Sequence, residues 1–431
     1  MPEPTAVSTV TDTPANNNAV IIGAGQAGAQ TAFSLRQQGF KGRVVLVGDE
    51  PTLPYQRPPL SKAYLAGELP EARLYIKPQG FYDKADIELL TGSRVEGIDP
   101  SARQVRLADG DTLAYRHLVL ATGGRARRLN CPGAEDPRVH YLRTLEDVRG
   151  LQANFVAGKR LVVIGGGYVG LETAAVAARH GLQVTVLVAR PTVLNRVCGP
   201  DVSRFFTQVH RDAGVALRCD TAVTAIRAES QYLVIDTNNG YSVQADLLVA
   251  GIGLEPNTEL AEAAGIACDN GIATDENGRC SLPDIYAAGD CASHPSAIYA
   301  RRLRLESVQN AVEQAKTVAA SICGKHRPYT QAPWFWSDQF DLKLQSAGVV
   351  SGFDQSVVRG DSETRSFAVF YYRAGVLIAV DAINRPAEFV AARKLLDQGL
   401  SPSPEVVCNE AIPPADFAAA VTGAKPVASH G

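Results

Sequence analysis

Residues 19–28 read Ala-Val-Ile-Ile-Gly-Ala-Gly-Gln-Ala-Gly, and the segments around them decide the architecture. The apolar run Ala19-Val-Ile-Ile22 suits a parallel strand buried on both faces. Gly23, Gly25 and Gly28 form a Gly-x-Gly-x-x-Gly turn. Ala29, Ala32 and Phe33 then repeat at helical spacing until Gly39 stops the helix. A second apolar run, Val44-Val-Leu-Val47, leads into Gly48-Asp49-Glu50, about 20 residues beyond Gly28. Strand, glycine turn, helix, strand and acid in that order predict a cradle for a dinucleotide. The first glycine permits the tight turn, the second lets the backbone approach a pyrophosphate, and the third lets helix and strand pack closely. The helix start directs unpaired N–H groups at the phosphates. Asp49 or Glu50 can accept hydrogen bonds from ribose hydroxyls.

The pattern returns. Leu161-Val-Val-Ile164 precedes Gly165-Gly-Gly167-Tyr168-Val-Gly170. Leu171, Ala174, Ala175 and Ala178 then repeat at helical spacing, Gly181 ends the helix, and Val184-Thr-Val-Leu-Val188 follows. Two such fingerprints imply two dinucleotides, or one dinucleotide twice; the first reading suits a hydride relay. Each half also carries a hairpin signal, Asp109-Gly110 and Asn239-Gly240. Each has an apolar return strand ending in glycine, Leu118-Val-Leu-Ala121-Thr122-Gly123 and Leu247-Leu-Val-Ala-Gly251. This is duplication of a domain-sized unit, not a solenoid. Beyond Asp284-Ile-Tyr-Ala-Ala-Gly-Asp290 a helix is marked by Val308, Val312, Ala315, Ala319 and Ile322, ending at Gly324. From about residue 327 the character changes. Phe367-Ala-Val-Phe-Tyr-Tyr372 and Val376-Leu-Ile-Ala-Val380 flank Ala374-Gly375, and Pro386 opens a helix through about Leu396, which together predict an α+β module. Residues 1–18 read as a flexible tail, and those from about 411, rich in Ala and Pro, as loose.

Composition sets the outer bounds. At roughly 100–200 residues per domain, 431 residues hold two to four domains. Hydrophobic residues at 45%, charged at 20% and 38 glycines describe a soluble globular chain. A net charge of −3 argues against nucleic-acid binding as the main task. No apolar run reaches the roughly 18 residues a membrane span needs. The first 18 residues lack both Lys/Arg and an apolar core, so they do not read as a signal peptide. Eight cysteines form no Cys-x-x-Cys and do not cluster with the seven histidines. Reduced thiols in a cytoplasm, and no metal site, are expected.

The two Gly-x-Gly-x-x-Gly motifs, Ala121-Thr122-Gly123 and Tyr286-Ala-Ala-Gly-Asp290 resemble those of the two-dinucleotide flavoprotein reductases. Arg57-Pro-Pro-Leu-Ser-Lys62, Tyr141-Leu-Arg-Thr144, Arg304-Leu-Glu-Ser307 and Trp334-Phe-Trp-Ser-Asp338 narrow the resemblance to the ferredoxin reductases of bacterial oxygenase systems, of the putidaredoxin-reductase type, over about residues 19–400. The resemblance implies an α/β fold of two Rossmann-like dinucleotide-binding domains in the glutathione-reductase arrangement, plus a C-terminal α+β domain. Residues 19–122 and 252–326 would form a discontinuous FAD domain, 123–251 the NAD(P)H domain and 327–431 the C-terminal domain. Electrons would pass from NADH, with NADPH as the alternative donor, through FAD to a two-iron two-sulfur ferredoxin serving a haem monooxygenase or a ring-hydroxylating dioxygenase. A rubredoxin reductase, an NAD(P)H oxidase and an apoptosis-inducing-factor-like flavoprotein acting through partners are the alternatives. Thioredoxin or glutathione reductase chemistry would need a redox disulfide, and no paired cysteines exist.

The resemblance also implies roles. Around FAD it places Gly23, Gly25, Ala27, Gly28, Asp49, Lys62, Val95, Ala121, Thr122, Gly123, Arg143, Asp290, Val308 and Trp336. Asp290 would accept from the ribityl chain, with a helix N-cap as its plainer alternative. A helix starting near Ser307 would aim its positive end at the flavin pyrimidine edge. Around the nicotinamide dinucleotide it places Gly165, Gly167, Tyr168, Gly170, Glu172, Arg190 and Glu306. Lys62 and Glu172 would pair beside the reactive flavin nitrogen, and Trp336 would close the flavin pocket; these three are the catalytic candidates. Where NADH-selective members carry an acid, this chain has Val188, followed by Ala189-Arg190, and Arg190 could pair with a 2′-phosphate. An acidic ferredoxin calls for a basic docking face, expected near Arg301 and Arg302.

Overall fold

The structure, a computed structural model, describes residues 17–421. The expected tail lies, up to residue 16, outside the described residues. Asn18 is in place, its carbonyl accepting from the Arg116 and His117 N–H groups.

The first sheet has five parallel strands in the order Ile285–Ala287, His117–Leu120, Ala19–Ile22, Val44–Val47, Ile87–Leu90. Every residue of Ala19–Ile22 and Val44–Val47 is buried, which is why they read as unbroken apolar runs and not as alternating strands. Helices Gln26–Gln38 and Val308–Ile322 pack together over one face; a meander of Val95–Asp99, Gln104–Leu107 and Thr112–Ala114 covers the other. The second sheet repeats the plan with parallel strands Ala216–Arg218, Gln183–Leu187, Arg160–Ile164, Leu247–Ala250 and Val139–Tyr141. Its meander is Val223–Ala228, Leu233–Thr237 and Ser242–Ala245. The Asp-Gly and Asn-Gly turns close hairpins in both meanders, Gly110 at φ 96° and Gly240 at φ 78°.

The chain crosses between the sheets twice, and the crossings lie side by side. Gly124–Ala126 pairs antiparallel with Leu254–Pro256. After the second crossing the chain returns to the first sheet and adds Ile285–Ala287 beside His117–Leu120.

The C-terminal sheet is antiparallel, in the order Trp334–Gln339, Leu342–Gly348, Val376–Ile383, Ser366–Arg373, Gln355–Asp361, and is covered by helix Pro386–Gln398. That helix runs two residues past the expected Leu396, to a left-handed Gly399. Up to residue 421 the structure corrects the loose segment expected from 411. Phe417 is fully buried and packs edge-on against Phe370 at 5.9 Å. Arg359, 3% exposed, donates to the carbonyls of Val407, Asn409 and Ile412 and pairs with Glu388 at 3.1 Å. One aromatic and one buried guanidinium order the segment, and an Ala/Pro composition conceals both. Residues 422–431 lie outside the described residues. Among those described, no helix is long and apolar enough to cross a membrane, and all eight cysteines are free thiols.

Candidate active site

The first glycine turn is built as its spacing requires. A Cβ on Gly23, at φ 108°, would stand 2.2 Å from the Ala121 carbonyl oxygen, and one on Gly28 1.9 Å from that of Gly23. One on Gly25 would meet nothing within 4 Å. Two glycines therefore serve the fold, and the third keeps a space open. No side chain caps the start of helix Gln26–Gln38, so its first N–H groups face that space unpaired. Gly289, at φ 89°, brings its loop against Ala27, where a Cβ would be 2.8 Å from the alanine methyl. Arg143 donates to Asp290 at 3.0 Å and to the Gly124 carbonyl at 2.9 Å, and Thr122 donates to the Asn257 carbonyl at 2.7 Å. Ala27, Ala121, Thr122, Gly123, Arg143 and Asp290 thus gather around the turn.

Of the two acids left open by the sequence, Glu50 is occupied. Its oxygens accept from Tyr55 Oη at 2.6 Å and Arg57 at 2.7 Å, and Arg57 also donates to the Arg143 carbonyl. Asp49 is exposed and has no ion pair among the described residues. Val308 opens helix Val308–Ile322, capped by Ser307 Oγ, which accepts from Asn310 N at 3.1 Å. Two residues on, the fully buried Asn310 donates to the Leu305 carbonyl at 2.9 Å, and its Oδ1 has no partner among the described residues. Val95 lies in the meander and faces the core with Val105 and Leu107. The open turn and the uncapped helix start fit a phosphate-bearing dinucleotide cofactor.

The second turn has the same construction. Cβ atoms on Gly165 and Gly170 would stand 2.2 Å from the Gly251 and 2.3 Å from the Gly165 carbonyl oxygen, while Gly167 again meets nothing within 4 Å. Helix Tyr168–Arg179 starts uncapped at Gly167. Val188 is buried against Gly166 at the end of the second strand, and the Arg190 side chain is exposed beside it. The Tyr168 ring stacks on Phe335 of the C-terminal sheet, with centroids 4.4 Å apart.

A buried ion pair ties residue 62 to the helix that the second turn opens. Lys62 follows the short 3-10 helix Pro58–Ser61, and Glu172 stands on the first turns of helix Tyr168–Arg179. Lys62 Nζ and Glu172 Oε2 are 2.7 Å apart, with the carboxylate side chain 2% exposed. Ser61 donates to the same oxygen, and Ser337 to Oε1, at 2.5 Å each. Burial pushes the Glu172 carboxyl upward, and the Lys62 ammonium opposes that shift. The network extends inward: His210 Nε2 donates to Gln339 Oε1 at 2.9 Å, and Gln339 Nε2 to Ser337 Oγ at 3.1 Å. His210 is fully buried, and burial pushes its pKa down, which suits a neutral ring with one donor. The direction of donation through this chain makes Glu172 the terminal acceptor. A cavity of about 340 Å³ opens onto the pair, lined by Gln56, Lys62, Glu172, Arg179, Trp336 and Asp338 and by no cysteine.

The structure therefore brings Lys62, Glu172 and Trp336 to one cavity, next to the helix that the second glycine turn opens. Glu306 is exposed and pairs with Arg304 at 2.8 Å. Ser61 and Ser337 escaped the sequence reading although each adjoins a quoted residue, Lys62 and Trp336. Nothing in the sequence marks Gln339 or His210.

Residues 17–315 match the family described as pyridine nucleotide-disulphide oxidoreductase, and residues 334–418 match the reductase C-terminal family. The chain is 44% identical over 391 residues to a ferredoxin–NAD(P)(+) reductase of Sphingomonas sp, covering 90% of this chain and 94% of that protein. It is 43% identical over 412 residues to putidaredoxin reductase of Pseudomonas putida, covering 94% and 98%. Among solved structures, the covalent putidaredoxin reductase–putidaredoxin complex superposes with a TM-score of 0.92 at 43% identity, covering 95% of this chain and all of that one. Two glycine turns, a buried ion pair and matches over this length lead to one conclusion: the chain belongs to the pyridine nucleotide-disulphide oxidoreductases, in the group that carries a reductase C-terminal domain.

Proposed function

We propose that the chain is an FAD-dependent NAD(P)H:ferredoxin oxidoreductase, which takes electrons from NADH and delivers them to a two-iron two-sulfur ferredoxin of an oxygenase system. The observation that carries this reading is the two open glycine turns in one chain, together with the Lys62–Glu172 pair that lines a cavity without cysteine. A dithiol route would need sulfur there. FAD, when bound, supplies the change from a two-electron donor to one-electron delivery.

The chain's own residues bind, orient and set the field. The uncapped start of helix Gln26–Gln38 and Arg143 meet the cofactor's phosphates, and Asp290 meets its hydroxyls. The uncapped start of Tyr168–Arg179 receives the second dinucleotide. Lys62, fixed by Glu172 and by the Pro58 carbonyl at 3.3 Å, holds positive charge in a partly dry cavity, where it favours anionic character at the reacting ring. Losing either partner of such a buried pair costs about 3–5 kcal/mol. Trp336 forms one wall and limits water. Glu306 and Val95 belong to this reading as outer contacts, and the division into a discontinuous FAD unit, an inserted NAD(P)H unit and a C-terminal unit follows from the same assignment. The reaction belongs in the cytoplasm, where reduced nicotinamide and free thiols coexist.

The ferredoxin is placed on the basic edge at Arg301 and Arg302. Arg301 is exposed, whereas Arg302 donates to the carbonyls of Thr274 and Ser293, so its charge is held in position. Anaerobic NADH should bleach the purified yellow protein, and reduced ferredoxin should then form faster than reduced rubredoxin or hydrogen peroxide from oxygen. Equal or faster transfer to rubredoxin, or electron flow to oxygen alone, would refute the ferredoxin assignment. A charge reversal at Arg301 that left the salt dependence of ferredoxin reduction unchanged would refute the docking face.

A further inference from the structure

A second buried carboxylate lies outside the ion-pair network. Asp381, on strand Val376–Ile383, is 2% exposed and has no ion pair among the described residues. Buried charges normally find a cation. Asp381 is held by hydroxyls instead: Ser346 Oγ donates to Oδ1 at 2.6 Å and Tyr371 Oη to Oδ2 at 2.8 Å. The other groups facing it are the Cys198 thiol and the Gly199 N–H, from the loop before helix Pro200–Asp212. Tyr371 Oη also accepts from Gly199 N at 3.1 Å, and a Cβ at position 199 would stand 2.4 Å from the tyrosine ring, so only glycine allows this approach. The thiol reaches one step further, to Tyr168 Oη at 3.8 Å. Tyr168 is the residue after Gly167 in the second glycine turn, and its ring stacks on Phe335. Ser346 also approaches the Tyr168 hydroxyl. Four groups from two modules thus converge on the hydroxyl and its acid, and none is a cation.

We propose that Asp381 is a positioning residue: through Cys198 it holds the Tyr168 hydroxyl, and so keeps that ring stacked on Phe335 across the second cradle until a nicotinamide ring displaces it. This rests on the reading that the second glycine turn binds NAD(P)H. As a carboxylate, Asp381 accepts from Ser346, Tyr371 and the thiol together, which leaves the sulfur lone pairs turned toward Tyr168. A protonated carboxyl spends one oxygen on its own O–H and releases a donor, and the thiol is the weakest of the three. Burial pushes the Asp381 carboxyl up to about 6, which places that release within reach of a titration. Burial pushes the Cys198 thiol well up, so the thiol keeps its proton throughout. The clamp is closed above pH 6 and loosens below it.

The test compares equilibrium binding of NAD⁺ with that of ADP-ribose, which lacks the ring that must displace Tyr168, by calorimetry on the FAD-loaded protein. In D381N the dissociation constant for NAD⁺ should fall about fivefold, the equilibrium factor of one neutral hydrogen bond, with ADP-ribose unchanged. Wild type should bind NAD⁺ more tightly at pH 5.5 than at pH 7.5, and D381N should not. Y168F, which removes only the hydroxyl and keeps the ring, should match D381N, and the double variant should gain nothing further. Equal effects on NAD⁺ and ADP-ribose, or a pH step that survives in D381N or Y168F, would overturn the clamp. Failure of wild type to bind ADP-ribose would instead overturn the assignment of the second cradle, and the clamp with it.

Discussion

Changing Gly25 to alanine should separate folding from cofactor binding at a single carbon atom. Gly25 has φ −85° and ψ −163°, a conformation any L-residue adopts, and a methyl there would touch nothing in the protein. The apoprotein should therefore melt at or slightly above the wild-type temperature, since a Gly→Ala change at a compatible site gains about 0.4–1 kcal/mol through the unfolded chain. The methyl fills the space through which a pyrophosphate approaches the helix start. Losing two charge-assisted hydrogen bonds at about 1.5–3 kcal/mol each amounts to about 3–6 kcal/mol, or roughly a hundred- to ten-thousand-fold in the FAD dissociation constant. Gly28→Ala is the contrast. Its Cβ would stand 1.9 Å from a carbonyl oxygen, against the 3.0 Å below which real Cβ contacts are essentially absent, so the helix must leave the sheet. Overpacking of that kind costs about 1–3 kcal/mol, and apoprotein stability should fall together with flavin affinity. The assay is titration of apoprotein with FAD by flavin fluorescence, paired with thermal melts without flavin. A Gly25→Ala protein that binds FAD as wild type does, or whose apoprotein melts as early as Gly28→Ala, would show that the cradle argument is wrong.

Other consequences are equally direct. Phe417→Ala should cost about 3–5 kcal/mol, because the ring is fully buried against Phe370, and should expose residues 407–421 to protease; urea unfolding measures the first and limited digestion the second. If Arg190 faces the 2′-position as proposed, Arg190→Ala should lower kcat/KM for NADPH about tenfold and leave NADH unaffected; an equal loss with both cofactors would remove Arg190 from the site. Burial, with a smaller contribution from Arg302, pushes His294 down to about 4. The unfolded chain then binds the extra proton between pH 6.5 and 4, so stability falls by about 3 kcal/mol as pH drops through that window, and His294→Asn should flatten the urea midpoints there. Asp381 works in the opposite sense. Raised to about 6, it binds its proton more tightly in the fold, so its contribution falls as pH rises from 3.8 to 6, and D381N should remove that slope.

The two sheets were legible because their central strands are buried on both faces and their turns demand glycine; Ala19–Ile22 and Gly23–Gly28 carry the period and the breakers in ten residues. Lys62, Glu172 and Trp336 became legible through short motifs, since no periodicity brings residues 62, 172 and 336 to one cavity. What stayed hidden depends on contacts between modules. Asp381 sits in an apolar strand run and reads locally as an interruption; its hydroxyl partners come from strands and loops that only the folded chain assembles. His210 and Gln339 escaped for the same reason. Phe417 escaped because composition averages over a segment, whereas a single ring in a fitted pocket is enough to order it.

The edge strand Ile285–Ala287 has a consequence for how the chain is made. A ribosome releases residues 19–120 long before the segment that completes their sheet. Everything between the two antiparallel crossings can collapse on its own while the flanking sheet still lacks an edge and the 289–290 loop that faces its glycine turn. On the assignment proposed above, the order of synthesis makes the reductant's pocket before the prosthetic group's, and flavin capture becomes a late event that reports on completion of about two thirds of the polypeptide.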